Sequence, residues 1–307
     1  MTQEIHNVIV LGATGNLGPH VLSALLAAGF SVKVLSRNQL SSSAVIPSGI
    51  EVLQSDYSFK SLVDAFKGQD AVISTVSTLT VPQQLNIIDA AAAAKVKRFL
   101  PSEFGSDTSV DDDGAIEEFL KGKQEVVRYL RTKEIDGLSW SALCPGAWVD
   151  WMLEEGNGLL GLDLASKAAT IIDDGDQDFT ASTIDLVAKA TAAILLHPEE
   201  TRNRYVQVHS FTLTQNSLLE ALERVSGAKF STTRTSRGEL HALAKKHLAR
   251  SVDDSGHYEL VTATVLSGSK LVLFPERAAH WNKVLGLAQE EDLDEMVRRV
   301  WSKMERA

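Results

Sequence analysis

Three glycines set the first chemistry to consider. Gly12-Ala13-Thr14-Gly15-Asn16-Leu17-Gly18 follows a short apolar run, Asn7–Leu11, and opens a segment whose apolar residues recur at helical spacing. In a strand–turn–helix context, each glycine has a use at a dinucleotide pyrophosphate. The first permits a tight turn, the second lets the backbone approach the phosphates, and the third lets the helix pack closely on the sheet. The start of the helix adds unpaired N–H groups and a dipole that favours anions. The stretch Gly12, Thr14, Gly15, Asn16, Leu17 and Gly18 is therefore the expected cofactor cradle. A glycine triplet by itself also fits a loop that binds nothing, so the flanking strand and helix carry the argument.

The end of the next apolar run, Val32–Ser36, bears on which dinucleotide is bound. NAD sites place a carboxylate there for the ribose 2′-hydroxyl. This chain has Ser36-Arg37-Asn38 and no acid. Arg37 is able to pair with a 2′-phosphate through charge-assisted hydrogen bonds, so NADP(H) is the expected cofactor; the plainer reading of Arg37 is a surface arginine. Thr75, Val76 and Ser77, where the run Ala71–Val76 ends, are expected along the adenosine or nicotinamide-ribose path.

If the dinucleotide serves a reductase of the short-chain type, a lysine is needed near the nicotinamide, where it holds the ribose or acts as a base of depressed proton affinity. One segment, 116–133, offers Lys121, Lys123 and Lys133. Tyr129 and Lys133 have the Y-x-x-x-K spacing used by short-chain dehydrogenases. Lys133, however, lies five residues before the strand expected at Leu138. In a parallel crossover that end of the helix is far from the cofactor. Lys121 and Lys123 lie on the cofactor side, where the residue four before Lys123 is Phe119 rather than tyrosine.

The elements that must position these residues alternate. Apolar runs at Asn7–Gly12, Val32–Ser36, Glu51–Leu53, Ala71–Val76, Arg98–Leu100 and Leu138–Leu143 predict six strands. Between them, 17–28, 61–67, 83–95 and 116–133 read as helices. Strands separated by helices imply parallel pairing with right-handed crossovers, a doubly wound Rossmann sheet whose ligands lie beyond the carboxyl ends of the strands. The expected division is an NAD(P)-binding domain over 1–150, with a return of about 180–210 to the main sheet left open. Residues 151–307 are expected to form mainly a smaller, mostly helical substrate lobe. There Ile184–Leu196 is a helix, Tyr205–Val208 a strand, and Thr214 the N-cap of a helix through Glu223.

Composition narrows the alternatives. The 307 residues carry a formal net charge of −10, which repels nucleic-acid phosphates. The densest basic group, Arg234, Arg237, Lys245, Lys246 and Arg250, reads as a solvated face. One cysteine, Cys144, allows no intrachain disulfide and suits a reducing, cytoplasmic setting. The eight histidines lack metal-ligand spacing, so no metal is expected. No apolar run reaches membrane-spanning length, and the start, Met-Thr-Gln-Glu-Ile-His, reads as a chain without a cleaved leader.

The phrase Val96-Lys-Arg-Phe-Leu-Pro-Ser-Glu-Phe-Gly105 is more specific than the glycines. Together with Gly12–Gly18, Gln84–Ala91 and Lys123-Gln-Glu-Val-Val-Arg128, it resembles the isoflavone reductase-like, or NmrA-like, family of atypical short-chain dehydrogenases. Pro198–Tyr205 and Thr214-Gln-Asn resemble fungal-type members. The resemblance covers most of the chain and is strongest over 7–150. It implies NADPH as reductant and one helix lysine, here Lys123, as the proton-transfer group. In phenylpropanoid members that lysine assists proton removal from a substrate phenol. Some plant members carry a second basic residue after the position of Arg37; here the segment is Gln39-Leu-Ser-Ser-Ser-Ala-Val45, without one.

The expected substrate contacts are Phe104, after the fifth strand, and Trp148 and Phe179 as an apolar wall for a flat aromatic molecule; each also fits a core role. The segment Asp107 to Asp113 is acidic and reads as a solvated connection or a substrate gate. Two functions fit. One is an NADPH-dependent reductase of a small, aromatic or conjugated molecule, with that substrate as partner and a homodimer left open. The other is an NmrA-like redox sensor that binds NADP(H) without turnover and contacts a protein partner. A pure sensor has no need of Lys123.

Overall fold

The computed structural model describes residues 4–37, 46–77, 83–110, 118–155, 158–250, 255–287 and 291–306. Asn38, the segment 39–45 and the acids Asp111 to Asp113 lie outside them.

The first half builds one sheet. Strands β1 (Asn7–Leu11), β2 (Ser31–Ser36), β3 (Glu51–Gln54), β4 (Ala71–Ser74), β5 (Arg98–Leu100) and β6 (Ser139–Cys144) alternate with helices α1 (Gly18–Ala27), α2 (Phe59–Phe66), α3 (Gln84–Ala93) and α4 (Glu118–Thr132). β1, β4, β5 and β6 are almost wholly buried, as strands covered by helices on both faces must be.

Beyond β6 come β7 (Ala147–Trp148), α5 (Val149–Glu154), β8 (Leu162–Asp163), β9 (Ala168–Ile172), β10 (Phe179–Ser182), α6 (Ile184–Leu196) and β11 (Arg204–Gln207). β12 (Phe211–Leu213), α7 (Gln215–Ser226), β13 (Ser231–Thr235), α8 (Arg237–Arg250), α9 (Ser255–Val265), α10 (Pro275–Val284) and α11 (Leu293–Met304) follow.

The main sheet has seven strands in the order β11-β6-β5-β4-β1-β2-β3, and every pairing in it is parallel. The chain runs outward from β1 to β3, then returns to β4 on the other side of β1. The crevice between the carboxyl ends of β1 and β4 is thus the switch point at which doubly wound sheets bind ligands. Register fixes its walls, with Leu11 opposite both Leu35 and Ser74. β11 extends the sheet beside β6, with Tyr205 opposite Ala142. α6 packs its buried face, including Val187 and Ile194, into the same core as Val21, Leu22 and Leu25 of α1.

The lobe has its own core, in which Phe179, Leu213, Leu222 and Val300 meet. It also carries two three-stranded sheets, β12-β10-β7 and β13-β9-β8, which the sequence patterns do not announce. Their strands are two to five residues long, too short for a period of two to stand out. Among the described residues no helix is long and apolar enough to cross a membrane.

Candidate active site

The glycine loop turns immediately after β1. Gly12 has φ +77°, and a Cβ there would lie 2.6 Å from the carbonyl oxygen of Thr75 on the adjacent strand end. At Gly18 a Cβ would lie 2.3 Å from the carbonyl oxygen of Ala13, so the third glycine does permit close packing of α1. At Gly15 the only near atom among the described residues is the Gly12 carbonyl oxygen at 3.3 Å, and Thr14, Gly15 and Asn16 are exposed. α1 then starts without a side-chain cap and without an acid in its first turn. An uncapped, uncompensated helix start behind an open glycine turn fits a pyrophosphate. Leu17 is buried against the sheet core and offers its backbone rather than its side chain.

Ser36 ends β2 half-buried, and Arg37 beyond it is exposed, with its guanidinium 6.0 Å from the ring centroid of Tyr57. An arginine laid over an aromatic ring at this strand end presents donors to solvent and fits a 2′-phosphate. At β4, Thr75 N–H and Oγ1 both donate to the Leu11 carbonyl, at 2.9 and 2.8 Å. Ser102 Oγ donates to the Val76 carbonyl at 2.6 Å, and Ser102 N–H to Gln84 Oε1 at 3.0 Å. Gly146 N–H donates to the Gly105 carbonyl at 3.1 Å. The carboxyl ends of β1, β4, β5 and β6 are thus tied one to the next. Thr75 and Val76 lie half-buried at this edge, and Ser77 is exposed.

α4 crosses from β5 to β6 and brings the lysines. Leu120, Lys123, Val127 and Leu130 are all buried, and their spacing of three and four places Lys123 on the stripe that faces the sheet. Lys123 is 7% exposed, and its Nζ donates to the backbone carbonyl of Glu103, just past β5. Burial lowers its proton affinity, while the nearby Glu103 and Cys144 raise it. Lys121, two residues earlier, is exposed.

At the other end of α4, Tyr129 Oη donates to Asp89 Oδ1 at 2.7 Å, and Lys133 Nζ lies 2.5 Å from the same oxygen. Hydrogen bonds to Asp89 and Tyr129 raise the proton affinity of Lys133. This pair sits by the amino ends of the strands.

Glu103 is the residue whose importance the sequence did not show. It is 1% exposed, Thr108 Oγ1 donates to its Oε2 at 2.7 Å, and burial pushes its carboxyl up to about 7. Burial also raises the Cys144 thiol, so a nucleophilic role has no support. Asp107 corrects the reading of a solvated acidic connection. It is 0% exposed, ion-paired with Arg277, and accepts from Gln207 Nε2 at 2.9 Å and Ser109 N–H at 3.0 Å. The sequence offered one signal: an Asp with a Ser two residues on is able to close a turn on its own carboxylate.

The three expected substrate contacts separate. Phe104 is buried at φ +37°, on the cofactor edge of the sheet core. Trp148 is half-buried, meets Trp151 edge to face at 5.7 Å, and its Nε1 is buried with no hydrogen-bond partner among the described residues. Phe179 is 0% exposed inside the lobe core. It has no surface to offer a ligand, because β10 is the central strand of its sheet and turns this ring inward.

The family model of the NmrA-like family matches residues 4–271. The chain belongs to the NmrA-like family. Among its relatives is oxidoreductase aprR of Aspergillus flavus, 40% identical over 247 residues, covering 79% of this chain and 82% of the relative. The isoflavone reductase homolog IRL of Zea mays is 30% identical over 75% of this chain and 77% of its own. In three dimensions the family fold extends to the binary complex of leucoanthocyanidin reductase with NADPH from Vitis vinifera. That structure has TM-score 0.80 and 19% identity, and covers 96% of this chain and 99% of the other.

Proposed function

We propose that this NmrA-like protein is an NADPH-dependent reductase of a small aromatic or conjugated molecule, with Lys123 as its proton-transfer group. That relatives such as aprR are named oxidoreductases supports this class, and the likeness in fold to an NADPH complex of leucoanthocyanidin reductase supports NADP(H) as the cofactor. The observation that carries the finer reading is the position of Lys123. A lysine occupies a core-facing place on α4, its amine desolvated at the carboxyl edge of the same sheet that holds the glycine cradle.

When bound, NADPH supplies the hydride. Gly12, Gly15 and Gly18, with Thr14, Asn16 and the backbone of Leu17, hold the pyrophosphate. Ser36 and Arg37 would hold the 2′-phosphate, and Thr75, Val76 and Ser77 would line the adenosine or nicotinamide-ribose path. Lys123 moves a proton at a substrate oxygen, because an amine kept from water changes charge nearer neutrality than a solvated one. Phe104 and Trp148 are the proposed substrate contacts; Phe179 belongs to the lobe core. The division that follows places the cofactor domain in 1–150 together with α6 and β11, and the substrate lobe in the rest. The name isoflavone reductase homolog attached to the Zea mays relative supports a planar, conjugated substrate class.

The test is a fluorescence titration of the protein with NADPH and NADH, followed by NADPH oxidation across a panel of phenolics, quinones and enones. Preferred NADPH binding with oxidation by one class is the expected result. Tight NADPH binding with no oxidation by any member would replace the reductase with the redox sensor.

A further inference from the structure

Directly behind Lys123 lies a buried acid that the proposed reaction does not use. Glu103 stands just past β5, and its two carboxylate oxygens are treated unequally. Oε2 accepts from Thr108 Oγ1 at 2.7 Å, whereas Oε1 is buried and has no hydrogen-bond partner among the described residues. Buried polar atoms are nearly always paired, and an unpaired one costs stability. Asp107, four residues on and equally buried, shows what a structural acid looks like here. Its carboxylate takes an arginine, a glutamine, and the N–H and hydroxyl of Ser109. Glu103 has one neutral donor, and the charge beside it is that of Lys123, whose amine is anchored on the backbone carbonyl of Glu103 itself. The same residue therefore fixes where the amine sits and what field it feels.

We propose that Glu103 is the positioning residue of Lys123: its buried carboxylate is the counter-charge that governs when the Lys123 amine gains or loses its proton. The inference rests on reading Lys123 as the proton-transfer group. Two opposed effects act on the amine. Burial favours the neutral form, and the carboxylate favours the ammonium. The other groups in the enclosure act around this pair. Asp107, held by Arg277 from α10, adds negative charge that makes Glu103 harder to ionise, and Thr108 makes it easier. Cys144 on β6 stays a thiol, and Tyr205 on β11, 3.4 Å from Thr108 Oγ1, stays a phenol because burial and Glu103 both disfavour its ionisation. Glu103 is thus the acid whose charge state decides that of Lys123.

The test has one arm that needs no turnover. The protein is labelled with lysine carrying ¹³C at Cε, the Lys123 signal is assigned by its absence in Lys123→Arg, and its titration is followed in wild type, Glu103→Gln and Glu103→Asp. Glu103→Gln should lower the Lys123 midpoint by about 1–3 pH units, the usual effect of losing an opposite charge nearby, and Glu103→Asp should recover much of it. Thr108→Val, which removes the one donor to the carboxylate, should move the midpoint the same way by less, and it serves where Glu103→Gln does not fold. An unchanged Lys123 midpoint in the folded variants overturns the proposal. The second arm is the pH profile of NADPH oxidation with an active compound of the panel, whose limb should move with the midpoint. If the titration moves and the limb does not, the control by Glu103 stands and the catalytic reading of Lys123 falls.

Discussion

The two ends of α4 carry lysines in opposite circumstances. At the cofactor end Lys123 is buried, anchored on a backbone carbonyl beside a poorly satisfied acid, and its proton affinity is lowered by burial. At the far end Lys133 is one-fifth exposed and paired with Asp89 and Tyr129, and its proton affinity is raised. Only the second has a tyrosine at the spacing of a familiar dehydrogenase motif. Sequence spacing alone therefore singles out the amine at the far end, whereas the proposed reaction uses the other. What separates the two is where a crossover helix begins and ends relative to the carboxyl edge of a parallel sheet, together with which face each residue occupies.

The largest expected difference is in stability as a function of pH. Lys123→Met leaves Glu103 without its cation, so its carboxyl rises further above the ordinary 4.5 than the present value of about 7. A carboxyl that holds its proton more tightly folded than unfolded makes the folded state less stable as pH rises from 4.5 through the folded value. Thermal or urea unfolding should show Lys123→Met losing about 1–3 kcal/mol at pH 8, the range for a buried group left without its partner, and much less at pH 5. Lys133→Met, at a partly exposed pair, should lose under about 1 kcal/mol with little dependence over the same range. Equal and pH-independent losses would erase the distinction between the two ends.

Arg37 sharpens the comparison from the cofactor side. Arg37→Ala should weaken NADPH binding by about 10–100-fold, the loss expected for charge-assisted hydrogen bonds, and leave NADH binding as it was. Equal weakening of both in a fluorescence titration would show that Arg37 does not meet a 2′-phosphate.

Much of this was legible in the sequence. The six strands and the glycine turn were, because a fully covered parallel strand reads as an apolar run and Gly12 has a backbone geometry that few residues adopt. For Lys123 the place was legible, since it stands near the start of α4 on the stripe of Leu120, Val127 and Leu130; its role was an implication of the resemblance through Lys123-Gln-Glu-Val-Val-Arg128. Glu103 was not legible, because its burial comes from α4, the turn to Thr108 and β11 closing over it, contacts between segments far apart in the chain. Phe179 failed for the same reason. Its strand is four residues long, and only the pairing of β10 between β7 and β12 shows that the ring faces inward.

The smallest effect belongs to the far end. Asp89→Ala frees both Tyr129 and Lys133, yet should lower unfolding stability by under about 1 kcal/mol and leave NADPH affinity untouched. A measurable loss of affinity would mean that the far end communicates with the cofactor.

In the proposed reaction burial, and not motif spacing, selects the working amine. The most direct measurement is the rate of NADPH oxidation, with an active compound of the panel, by Lys123→Ala and Lys133→Ala alongside their NADPH affinities. Lys123→Ala should lose about a hundred- to ten-thousand-fold in rate, the range for a general acid–base group, while still binding NADPH, and Lys133→Ala should turn over as wild type. Wild-type turnover by Lys123→Ala, or its loss in Lys133→Ala, would contradict the account.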